Sequence, residues 1–115
     1  MKITNLEAWN ILQSTSEINE SGKLGFAIAK NMRKIADELK EYDAKRNELI
    51  EKYGTAIGDG RFSFSQENAK KFQGEMEEYD SIEFDFSPMT VSEEVFCGGN
   101  LNSAQMYTLM WMVEE

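Results

Sequence analysis

Apolar residues between Leu24 and Tyr53 recur at alternating steps of four and three. Ile28, Met32, Ile35, Leu39, Tyr42, Leu49 and Tyr53 keep that spacing, with Arg46 in the one slot that breaks the run. This heptad seam predicts a single helix of about 30 residues, roughly 45 Å long at 1.5 Å per residue. A compact domain of this chain length has a radius of gyration near 13 Å. The helix should therefore protrude, or run through an elongated or oligomeric body.

Shorter elements flank the rod. Thr4 and Glu7 are spaced as a capping box, so a helix should start near Asn5 with Leu6, Trp9, Ile11 and Leu12 on its apolar side. The run Ser14-Thr15-Ser16 weakens its end, because short hydroxyl side chains compete for backbone hydrogen bonds, and Ser21-Gly22 breaks the chain again. Along the rod, Glu41 with Lys45 and Glu48 with Lys52 are at favourable i,i+4 spacing on a solvated face. Gly54 is placed to stop the helix in a left-handed conformation.

Residues 55–64 then read as a hairpin with Asp59-Gly60 in the turn and Phe62 and Phe64 alternating with polar residues. Ser65 suits the N-cap of a second helix from Gln66 to about Tyr79, with Ala69, Phe72, Met76 and Tyr79 on one stripe, running antiparallel to the end of the rod. Ile82, Phe84 and Phe86 alternate with Glu83 and Asp85 as a half-buried strand does, and this strand could join the hairpin in a three-stranded sheet. After Pro88, Ser92 caps a single helical turn that ends at Gly98-Gly99. Asn102 and Gln105 form a second capping box. It opens a last helix whose apolar side is Met106, Leu109, Met110 and Val113, with Leu101 and Met106 as its hydrophobic staple.

Together these predict one α+β domain over residues 1–115, mostly helical. A long central helix carries an antiparallel second helix, a small β-hairpin or sheet, and N- and C-terminal helices packed on it.

Composition narrows the chemistry more than the fold. With 41% hydrophobic and 11% aromatic residues the chain should fold rather than stay disordered. It has no histidine and only one cysteine, which removes the commonest metal ligand and general base and rules out an intramolecular disulfide. No apolar run approaches the roughly 18 residues of a membrane span. The glycines around Asp59 lack the Gly-Lys-Ser/Thr of a phosphate loop, and Asp59 alone cannot make a calcium loop. No cofactor is expected and no metal site; the chain is read as not an enzyme.

The formal charge of −9 is unevenly placed. Residues 1–71 hold all 12 Lys and Arg with eleven of the 21 acids; residues 72–115 hold the other ten acids and no base. Such a one-sign region repels nucleic acid, so direct nucleic-acid binding is not expected. Glu75, Glu77, Glu78, Asp80, Glu83 and Asp85 lie opposite apolar residues in their predicted helix and strand, as a solvated face does. They are also the candidate binding surface for a protein partner, a basic one by charge. Arg46 either snorkels to solvent or sets register against an acid. Cys97, without a histidine to activate it, is expected as a small buried residue. Seam beyond the reach of the second helix invites a homodimer.

Lys30-Asn31-Met32-Arg33-Lys34-Ile35, the segment Arg46-Asn47-Glu48-Leu49-Ile50-Glu51-Lys52-Tyr53-Gly54 and the closing Asn102-Ser103-Ala104-Gln105-Met106 carry a resemblance across most of the chain. The sequence resembles a family of short, acidic, uncharacterised proteins encoded by phages and prophages of Gram-positive bacteria. The resemblance implies a phage accessory or assembly role and brings no catalytic residues; without an apolar run long enough to span a membrane, and with Cys97 reduced, the chain is expected in the cytoplasm of the host bacterium, with virion association left open. The competing reading of the same acids is a mimic of the DNA phosphate backbone that inhibits a host nucleic-acid-binding protein.

Overall fold

The computed structural model describes residues 1–114. In chain order the elements are β1 (Lys2–Thr4), α1 (Asn5–Thr15), α2 (Gly22–Glu38), α3 (Lys40–Tyr53), β2 (Thr55–Gly58), β3 (Arg61–Ser63), α4 (Gln66–Asp80), β4 (Glu83–Asp85), α5 (Glu93–Cys97), α6 (Ser103–Leu109) and a 3-10 turn at Met110–Met112. It is a mostly helical α+β fold.

The rod is present, but as two helices. Leu39 leaves helical geometry at φ −89°, ψ 8°, while Leu39 N–H still donates to Ile35 O and Asp43 N–H to Leu39 O. Neither Gly nor Pro marks the break, so the apolar pattern runs straight through it. The principal extents are 49 × 29 × 22 Å and the radius of gyration is 16.7 Å, well above the compact value. The long axis matches the length of α2 and α3 laid end to end, about 48 Å.

The seam is covered within the chain. Ile35, Leu39, Tyr42 and Leu49 are buried with Ile3, Ala8, Met76 and Phe86 in one core cluster, and Leu24, Ala27 and Ile28 with Val91, Phe96, Leu101, Leu109 and Met112 in a second. Met32 and Trp111 touch both clusters. The fully buried position between Ile28 and Ile35 is Asn31, not Met32, which is only half-buried. Asn31 Nδ2 donates to Met89 O (2.9 Å) while Met89 N–H donates to Asn31 Oδ1 (2.7 Å). The buried amide thus satisfies the backbone of the segment after Pro88, as a neighbouring strand would.

Local signals place most boundaries correctly. Both capping boxes form, Thr4 with Glu7 and Asn102 with Gln105, and Ser65 and Ser92 cap α4 and α5. At the end of α1, Thr15 Oγ1 turns back to Ile11 O at 2.8 Å. The hairpin turns through Asp59 and Gly60, both at positive φ, which matches the twist of the strands. Phe64 holds its base on Phe72, ring centroids 5.4 Å apart.

Several expectations are corrected. The strand at Glu83–Asp85 pairs antiparallel with β1, Ile3 opposite Phe84, and not with the hairpin. Helix α4, 15 residues and so about 22 Å long, carries the chain to the far end from the hairpin; the N-terminal strand is the edge waiting there. Ile82 falls outside the strand and is 50% exposed.

The last helix tightens after Leu109 into a 3-10 turn, in which residues three apart eclipse. Leu109 and Met112 are therefore both buried, Met110 is 56% exposed, and Val113 forms a parallel bridge with Val91. Gly54 is extended (φ −90°), not left-handed: a Cβ there would lie 2.7 Å from Ile50 O and against the Phe62 ring, so glycine serves a close approach. Cys97 is exposed, because its neighbour Phe96 takes the inward side of the short α5. The expected Glu41–Lys45 and Glu48–Lys52 pairs give way to Lys45–Glu48 (3.4 Å) and Lys52–Glu75 (3.5 Å). Both lysines also lie over rings, Tyr79 and Tyr53 respectively, which draws them toward α4 and the end of α3.

Candidate partner-binding surface

Helix α4 lies antiparallel to α3. Tyr53 O accepts from Asn68 Nδ2 near one end, and the Tyr42 hydroxyl donates to Asp80 Oδ1 (2.5 Å) near the other. That pairing disperses the six candidate acids. Glu75 is half-buried and accepts from the Tyr53 hydroxyl at 2.8 Å. This hydrogen bond, more than the Lys52 ammonium beside it, holds its carboxyl below the usual range, against the opposing effect of burial. Asp80 is engaged by Tyr42. Burial first, and then the bond to Asp80 and its charge, push the Tyr42 hydroxyl well above its ordinary value, with Arg46 opposing.

Glu77, Glu78, Glu83 and Asp85 remain exposed. Glu83 belongs to a cavity of about 480 Å³ whose carboxylates also include Glu38 at the end of α2 and Glu41 at the start of α3. Its apolar lining is Tyr79, Ile82 and Phe84, with Ile82 half exposed, and Tyr42 and Asn5 complete the walls. Asn5 Nδ2 donates to Tyr79 O at 2.9 Å and Asn5 N–H to Ile82 O at 2.9 Å, so the N-terminus of α1 fixes the loop between α4 and β4. The single cation in this lining, Lys45, is paired with Glu48, whose charge is the main reason its own pKa is raised. The cavity thus presents three carboxylates around an apolar floor.

Glu77 and Asp80 line a second cavity, of about 470 Å³, between α1, α3 and α4; Tyr42 is common to both cavities. Glu75 lies toward the hairpin end, and Glu78 and Asp85 line neither cavity.

Glu38 and Glu41 escaped the sequence reading because they belong to the rod, near the middle of the chain, and only folding brings them beside Glu83. Arg46, the charge in the seam, lies over Trp9 with 4.8 Å from guanidinium carbon to ring centroid. Among the described residues no group of three or more His, Cys, Asp or Glu side chains could hold a metal ion, and no helix is long and apolar enough to cross a membrane. No protein-family model, curated protein or solved structure matches this chain.

Proposed function

We propose that this chain is a non-enzymatic interaction protein of phage or prophage type that docks a basic, amphipathic segment of a protein partner in the cavity around Ile82. The observation that carries this reading is the juxtaposition of Glu38, Glu41 and Glu83 around Tyr79, Ile82 and Phe84. Aliphatic side chains of the partner would cover Ile82 and Phe84, and its Lys or Arg would meet the three carboxylates. The formal charge of −9 would speed the encounter over a longer range. The likeness to short acidic phage proteins supports a role in virion or tail assembly. The lack of histidine, the commonest general base, supports a role without catalysis.

The test uses the full chain and a variant carrying Glu38→Lys, Glu41→Lys and Glu83→Lys, each measured against a synthetic helical peptide with Leu and Lys on opposite faces. Association with the wild type should slow as salt rises, and the variant should associate roughly tenfold more slowly at low salt. Equal rates would sink the proposal. The same two proteins used as bait in lysate of phage-infected bacteria should differ in what they retain. Capture of a nucleic-acid-binding protein that duplex DNA displaces would instead favour the DNA-mimic reading.

A further inference from the structure

The outer side of α2 carries the opposite chemistry to the acidic cavity. From Gly22 to Ala36 this helix has four cations, Lys23, Lys30, Arg33 and Lys34, and no acid, in a chain whose formal charge is −9. All four are exposed, and among the described residues no carboxylate lies within 4.0 Å of any of them. Phe26 is 60% exposed in their midst, with Lys30 Nζ 6.0 Å from its ring centroid. Lys23, Phe26, Lys30 and Arg33 follow at steps of three and four, so they share one face, turned away from the buried Ile28 and Ile35. A hollow of about 380 Å³ lies along it, lined by Phe26, Ala29, Lys30 and Arg33.

An exposed ring among unpaired cations suits an acidic surface with an apolar floor. Nucleic acid offers the charge but no floor for Phe26, and the acidic half of the chain repels it. The cavity around Ile82 offers both: Glu38, Glu41 and Glu83, none within 4.0 Å of a cation among the described residues, around Tyr79, Ile82 and Phe84. Within one chain the two surfaces cannot meet, because Lys30 and Glu38 are held on one helix, roughly 12 Å apart along its axis. Between two chains they can meet twice. The charge of the rod changes sign after Lys34, so reversing the direction of one rod sets the basic stretch of each against the acidic mouth of the other. We propose, resting on the reading of the acidic cavity as a docking site, that its occupant is a second copy of this chain. The two copies pair about a two-fold axis, Phe26 of each covering Ile82 of the other while Lys30 and Arg33 meet Glu38, Glu41 and Glu83. The apolar seam stays inside each chain, and the dimer uses the opposite side of α2. Two net charges of −9 repel at long range, but physiological salt screens that repulsion beyond about 8 Å and leaves the contact faces to decide.

The experiment is sedimentation equilibrium of the full chain at physiological salt. The average mass should rise from one chain toward two as concentration climbs to about 1 mM, a range that reveals even weak specific contacts. Lys30→Glu with Arg33→Glu makes both faces acidic, and Glu38→Lys with Glu41→Lys makes both basic. All four sites are exposed, so each variant should fold, and each alone should stay at one chain mass. An equimolar mixture of the two variants restores both contacts and should return to two chain masses. A wild type that stays monomeric, a dimer indifferent to both double reversals, a mixture that stays monomeric, or growth past two chains would each overturn the proposal. The Lys30→Glu, Arg33→Glu variant keeps the acidic cavity and should still bind the Leu and Lys peptide. A monomeric wild type that binds that peptide overturns the second copy alone, whereas a monomeric wild type that does not bind it overturns the docking site as well.

Discussion

Asn31, fully buried, and the half-buried Met89, 58 positions apart in the chain, exchange two hydrogen bonds: the Asn31 amide donates to the Met89 carbonyl and accepts from the Met89 N–H. One side chain thereby holds the segment after Pro88 against the middle of the rod, next to the second core cluster. Replacing it with Leu, branched at the same carbon, leaves both backbone groups without a partner. Asn31→Leu should destabilise the fold by about 2–4 kcal/mol, the cost of two buried polar groups left unmade. Asn31→Asp should be at least as damaging, since it cannot donate to Met89 O while ionised and brings a charge into the core. Urea denaturation of the two variants checks both expectations.

Tyr42 links the stability of the α3–α4 pair to alkaline pH. Its hydroxyl ionises in the unfolded chain near 10, and well above that in the fold, where burial and Asp80 favour the neutral form. The folded state therefore binds more protons than the unfolded state above about pH 10, and stability falls as pH rises from there. Below the unfolded value the contribution is complete. Tyr42→Phe should cost about 1–2 kcal/mol at pH 8 through the lost bond to Asp80. Its disadvantage against the wild type should shrink as pH climbs past 10. Denaturation of both proteins between pH 8 and 11 reads the difference directly; parallel curves would separate Tyr42 from the alkaline loss.

Three residues of similar size, Leu39 at the break between α2 and α3 and Met110 and Met112 in the 3-10 turn, meet opposite demands. Leu39 and Met112 are 2% and 0% exposed, so truncating either to Ala should cost about 2–5 kcal/mol. Met110→Ala should change stability by no more than about 0.5 kcal/mol, as expected for an exposed site. A regular α-helix to the C-terminus would reverse the order of Met110 and Met112. Thermal melts of the three variants therefore test the 3-10 turn as well as the core.

What was legible in the sequence was what depends on near neighbours. Thr4 with Glu7, Ser65 with Asn68 and Asn102 with Gln105 cap their helices across three residues, and Asp59-Gly60 turns its hairpin within two. The seam from Ile28 to Leu49 showed which face of the rod is covered, because the 3.6-residue period alone puts those side chains on one side. The same spacing also reaches Asn31, but a polar residue in an apolar stripe does not say what it bonds. Only the tertiary structure decided that Met89 answers it, that the N-terminal strand rather than the hairpin pairs with Glu83–Asp85, and that Glu38 and Glu41 meet Glu83. Each of these depends on which elements distant in the chain come together. Arg46 followed the same rule: its charge was visible as an exception in the seam, while its place over Trp9 awaited the packing of α1 across the rod. Contacts between residues far apart in the chain depend on the summed packing of several elements, and no local pattern carries that sum.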